Sequence, residues 1–153
     1  MTSDTFVSKH YNSVYAGGDS RRQKVVRCGE AGIYPGYGIR VVNSVAYLSQ
    51  QSDDHISGVA DLKVGHALDT VYASGTLIEW FRVGQDTEVY VYLLAASPAV
   101  QVDEGEDCII STTDGMFASG DDNTDLNYVA GHFCEYSAGH VTDNLLVKIT
   151  LSA

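Results

Sequence analysis

Glycine-centred turns punctuate this chain roughly every ten residues, at Gly58, Gly65, Gly75, Gly84, Gly105, Gly115, Gly120, Gly131 and Gly139. Between them stand short runs of β-branched and aromatic residues: Val25–Cys28, Ile39–Val42, Val45–Leu48, Thr76–Val83, Glu88–Leu94, Asp107–Ser111, Tyr128–Tyr136 and Leu145–Leu151. Such residues suit a pleated, half-buried surface. Glu88–Leu94 alternates in period two, with Tyr90 and Tyr92 on one face. A further strand is expected from near Val64 to Tyr72, and Asp53–Val64 has room for one helical turn at most. Helices long enough to alternate with strands find no place, so the expected fold is all-β, a single compact β-barrel or β-sandwich. Residues 1–24 are polar, broken at Gly17-Gly18, and read as an extended N-terminal arm ahead of a β-domain over 25–153.

Three landmarks recur in order and suggest two similar β-halves. The Gly turn and strand at Tyr34–Val42 is matched at Glu104–Ile110, Val64–Ala67 is matched at Ala130–Phe133, and the strand from Asp86 is matched by the strand from Asp143.

Charge narrows the partners. The 153 residues carry 20 acids and 9 bases, a net charge of −11. A protein so charged does not bind nucleic acid through bulk electrostatics, because phosphates repel it. Asp supplies 14 of the acids and Lys only 4 of the bases, a surface suited to high salt. The distribution is uneven: residues 1–52 carry net +3 and residues 53–153 net −14. Arg21, Arg22, Lys24 and Arg27 concentrate four bases in seven residues and form the candidate contact surface for a negatively charged partner.

Chemistry finds little to work with. Cys28, Cys108 and Cys134 have no paired spacing and read as free thiols, with one bridge and one leftover thiol as the alternative. His132 and Cys134 share a strand face, and His66 occupies a similar Gly-His step, but a zinc site needs more ligands than these. Asp121, Asn123 and Asp125 begin like a calcium loop, yet Leu126 and His132 stand where Gly and Glu are required. A looser calcium loop stays open. Asp103, Glu104, Glu106 and Asp107 crowd one turn instead of facing each other across a cleft. No nucleophile elbow or phosphate loop occurs. The expectation is a non-enzymatic protein without cofactor or metal. The opening Met-Thr-Ser-Asp-Thr lacks the order of a signal peptide, and no apolar run reaches membrane-spanning length. A soluble chain made in a reducing cytoplasm, without membrane contact, is expected.

The succession Pro35-Gly36-Tyr37-Gly38-Ile39, Val64–Ala67, Gly105–Ile110 with Asp114-Gly115, and the apolar strand Leu145–Leu151 resembles the head-decoration (capsid cement) proteins of tailed viruses, over residues 25–153. The Asp-rich composition suits such a virus of a halophilic host. The resemblance implies an all-β structural protein on the exterior of the virion. It would bind the major capsid protein as a homo-oligomer, with a trimer favoured, and stabilise the shell through an N-terminal arm. The alternative is a carbohydrate- or receptor-binding β-module of a spike or surface layer, which the ten tyrosines would serve.

Overall fold

The structure, a computed structural model, describes residues 13–50, 56–93, 102–111, 114–119, 129–134 and 145–152. It is all-β. The strands are β1 (Tyr15–Gly18), β2 (Val26–Cys28), β3 (Gly38–Val42), β4 (Val45–Leu48), β5 (Gly58–Ala60), β6 (Leu77–Ile78), β7 (Trp80–Arg82), β8 (Thr87–Leu93), β9 (Asp107–Ile110), β10 (Phe117–Ser119), β11 (Val129–Phe133) and β12 (Leu145–Thr150). Among the described residues no helix is long and apolar enough to cross a membrane.

The strands form two sheets, and both curl into rings. One sheet runs β1-β8-β10-β9-β11-β12, and β12 pairs again with β8, so β8 to β12 close on themselves. The other runs β6-β2-β4-β3-β5-β7. Its two end strands are consecutive pieces of one extended run interrupted at Glu79, so this ring closes through the run itself. Closure leaves few unpaired strand edges.

The two rings share one topology. β2–β4 and β8–β10 are parallel pairs, and every other corresponding pair is antiparallel. The registers agree as well. Cys28 pairs Ala46 as Leu93 pairs Phe117, Ile39 pairs Gly58 as Cys108 pairs Gly131, and Val59 pairs Phe81 as His132 pairs Thr150. Completing the circuit through Val26–Ile78 and Val91–Val147 returns to the starting register. Even the entry turns agree: the Gly36 N–H donates to the Ala60 carbonyl at 2.9 Å, and the Gly105 N–H to the Phe133 carbonyl at 2.8 Å. Gly36 and Gly105 both have φ near 90°, where only glycine is unstrained.

The duplication therefore exists, with a correspondence that differs from two of the three sequence landmarks. The first, at Gly36 and Gly105, coincides with the registers. The second does not, because the counterpart of Gly131 is Gly58, whereas Val64–Ala67 lies in the loop after β5. At Gly58 a Cβ would collide with the Phe81 carbonyl oxygen, and at Gly131 with that of Thr150. The third also fails, because β8 and β12 are neighbours in one ring. Their counterparts are β2 and the β6–β7 run. Strands rich in Val and Leu look alike in sequence whatever their place in a sheet.

Packing follows alternation. Val26, Cys28, Ile39, Ala46, Tyr72 and Ile78 fill the first ring. Val89, Val91, Val147, Ile149 and Leu151 fill the second, and their cluster continues through Val59, Phe81 and Leu68 of the first. The rings thus share a core. Tyr92 lies between them: its hydroxyl donates to the Leu68 carbonyl at 2.7 Å, and its ring meets Tyr37 edge-on.

Residues 13–24, expected in the arm, belong to the fold. β1 pairs with β8, Val14 is fully buried, and the Thr87 hydroxyl donates to the Asp19 carbonyl at 2.7 Å. The Gln23 N–H donates to the Trp80 carbonyl at 2.8 Å. A polar, Gly-containing run becomes a strand here because β8 offers it an edge. Residues 64–72, expected as a strand, instead form turns that carry Leu68 and Tyr72 into the core. Where a helical turn was allowed, β5 stands.

Candidate functional site

β2 sets the geometry of the basic segment. Its alternation sends Val26 and Cys28 inward and Arg27 outward. Arg27 pairs with Leu77 of β6, and cross-strand partners share a face. Val25 lies two residues before Arg27 and joins this outer face. The chain leaving β5 at Asp61 turns back through Leu62, Lys63 and Val64 beside it. Together they bound an open groove of about 640 Å³ lined by Arg22, Val25, Leu62, Lys63, Val64 and Leu77, with Asp61 and Glu79 completing its wall. Val25 is 49% exposed, Leu77 56% and Val64 99%.

The four predicted contact bases do not share one fate. Arg21 folds back onto Asp19, with Nη2 to Oδ2 at 2.6 Å and a backbone bond to Oδ1. That contact holds the Asp19 carboxyl below its ordinary range and raises the guanidinium. Arg22 is committed more deeply. Its Nε meets Asp61 Oδ2 at 2.9 Å, and its guanidinium lies 4.9 Å from the Phe81 ring centroid and 5.3 Å from that of Tyr15. Asp61 is buried and also accepts the Leu62 N–H at 2.8 Å. A carboxylate out of water needs such partners, so Arg22 serves the fold. Lys24 and Arg27 stay exposed and make no ion pair among the described residues. Lys63, 36 residues beyond Arg27 in sequence, lines the groove and is likewise exposed without an ion pair among the described residues, and Arg27 stands beside the groove as the cross-strand partner of Leu77. Sequence reading missed Lys63, Val64 and Leu77, because only the pairing of β2 with β6 and the loop after β5 bring them to the basic segment.

The second ring holds a polar cluster on its outer wall. His132 Nδ1 is 2.8 Å from Ser152 Oγ, and Nε2 is 3.1 Å from Asp107 Oδ1. Cys134 shares that face, as its spacing from His132 required, with Sγ 3.0 Å from Thr150 Oγ1. Hydroxyl, imidazole and carboxylate in sequence have the order of a nucleophilic triad. Here both the imidazole and the carboxylate stand half-exposed. Water then screens the charges that a triad needs concentrated in a dry site. The arrangement pins Ser152 to the barrel. His66 lies apart in the first ring, stacked on Tyr72 at 4.2 Å. Among the described residues no three metal-ligating groups converge.

The remaining candidates take structural places. Cys28, Cys108 and Cys134 are free thiols, and burial raises the pKa of Cys28 and Cys108. Glu106 Oε1 accepts the Asp103 N–H at 3.0 Å and closes the acidic turn on itself. The Asp121–Asp125 loop lies outside the described residues. The seven described tyrosines are all buried or half-buried. No protein-family model matches the chain, and none of the curated proteins is similar to it.

Proposed function

We propose that this chain is a structural virion protein that binds the outer surface of a capsid and stabilises the shell, attaching through the face built on β2, β6 and the loop after β5. The observation that carries the reading is that Lys63 in the groove and Arg27 beside it, neither ion-paired among the described residues, flank exposed Val25, Val64 and Leu77 on a chain of net charge −11. Cations on such a body steer it to a negatively charged surface, and the aliphatic groups give the contact a part that excludes water. Two barrel-like rings with a shared core carry that face. In this reading the partner is the major capsid protein, and the chain works as a homo-oligomer, a trimer by preference, so that each weak contact is multiplied.

The test is occupancy on assembled shells. Lys24→Glu combined with Arg27→Glu should lower binding by roughly tenfold or more at low salt and flatten its salt dependence. Arg21→Ala should leave occupancy unchanged. Equal occupancy for the double variant and the unaltered chain would refute the reading.

A further inference from the structure

At four outer positions that correspond by register, residue type can be compared with cover in the two rings, and Leu77 stands out among them. Where an outer position is covered by the other ring or by β1, the residue is apolar. Val59 and Phe81 in the first ring, and Tyr92 and Leu146 in the second, are all buried. Where the corresponding position is open, the residue is polar: His132 and Thr150 stand where the first ring has Val59 and Phe81. Arg27 and Leu77 correspond by register to Tyr92 and Leu146. Arg27 fits that pattern and Leu77 does not. Leu77, with Val25 and Val64, is apolar and open at a position that the second ring keeps covered.

From this we infer that the groove takes a partner segment carrying an aliphatic anchor flanked by carboxylates, an acidic-aliphatic stretch of the protein it docks to. The inference deepens the capsid-binding reading and rests on it for the identity of that protein. The aliphatic part follows from Val25, Val64 and Leu77, which gain by leaving water. The acidic part follows from charge. Arg22 and Asp61 neutralise each other and Lys63 balances Glu79 on the groove wall, so the excess positive charge comes from exposed Arg27, the cross-strand partner of Leu77 beside the groove. A second copy fits poorly. Two grooves face to face would oppose like charges. The acidic second ring lacks the anchor, since the exposed large hydrophobics among the described residues (Val25, Val42, Val64, Val71 and Leu77) all belong to the first ring.

The experiment titrates the isotopically labelled full chain with three synthetic peptides, following amide shifts. One alternates Asp and Leu, one alternates Lys and Leu, and one alternates Asp and Ser. The Asp-Leu peptide should shift the amides of Val25, Arg27, Lys63, Val64 and Leu77 and bind more weakly as salt rises. Leu77→Asp should weaken it by roughly tenfold. Arg27→Glu with Lys63→Glu should move the preference toward the Lys-Leu peptide. Equal binding of all three peptides, or shifts centred elsewhere, would overturn the assignment. So would a dimer in sedimentation that Leu77→Asp abolishes, because the occupant would then be a second copy. The two readings fail separately. Shell occupancy that survives Leu77→Asp removes the groove and leaves capsid binding, whereas peptide binding without shell occupancy removes the capsid and leaves the groove.

Discussion

The first ring and the second ring are the same circuit of strands with opposite surfaces. In the second ring the outer face at Tyr92 is sealed by Tyr34, Tyr37 and the Leu68 carbonyl of the first. In the first ring the corresponding face at Arg27 and Leu77 is open. Conversely, the first ring seals Val59 and Phe81 in the shared core, and the second leaves His132 and Thr150 to water. Once one copy of the circuit packs against the other, their equivalent faces cease to be equivalent. Each chooses its residues by what covers it, and in the proposed reading the uncovered apolar patch of Val25, Val64 and Leu77 is the docking surface.

The comparison can be broken at its shared geometry first. Gly58→Ala and Gly131→Ala should each cost about 3 kcal/mol or more in chemical denaturation, since each pushes a Cβ into the carbonyl oxygen of the closing strand. A neutral Gly58→Ala would mean that the first ring does not close as the second does. Phe81→Ala should cost a similar amount, about 3–5 kcal/mol, because it empties the seam between the rings.

A smaller effect separates the basic residues. Arg22→Ala leaves Asp61 buried beside an empty site and should cost about 2 kcal/mol, reduced from the fully buried case because Arg22 is partly exposed. Arg21→Ala removes an exposed pair and should leave the melting temperature unchanged. Equal effects would mean that the Arg22–Asp61 contact is not a structural one.

Alkaline pH sharpens the picture of the covered faces. Burial pushes the hydroxyls of Tyr37 and Tyr72 up to about 12 from an ordinary 10, and that of Tyr92 higher still. The folded state then holds these protons more tightly than the unfolded state. Their contribution to stability is complete below pH 10 and falls as pH rises from 10 through 12. Denaturation midpoints across that window should decline less for Tyr72→Phe than for the unaltered chain. An identical decline would place Tyr72 in water.

Much of this architecture is legible in the sequence where side chains carry the signal. β3, β4, β8 and β12 are runs of Val, Ile, Leu and Tyr, and their period marks them without a partner. β1, β5 and β10 are built of residues such as Ala16, Gly17, Gly58, Ala60 and Ala118, which have low strand propensity. They become strands because neighbouring strands supply the hydrogen bonds. The contact surface divides in the same way. Clustered bases at Arg21–Arg27 are visible in sequence, but the loss of Arg22 to Asp61 is not, since 39 residues separate them. Leu77 and Val64 both read as strand residues until the β2–β6 register places Leu77 beside Arg27 and the turn after β5 brings Val64 to the same groove.

The central claim is that the open face of the first ring holds the chain on its shell. Its most direct measurement is the occupancy of assembled capsids by Leu77→Asp, a substitution on an exposed side chain. Occupancy reduced by roughly tenfold, with an unchanged melting temperature, is the predicted result. Full occupancy at the same melting temperature would contradict it.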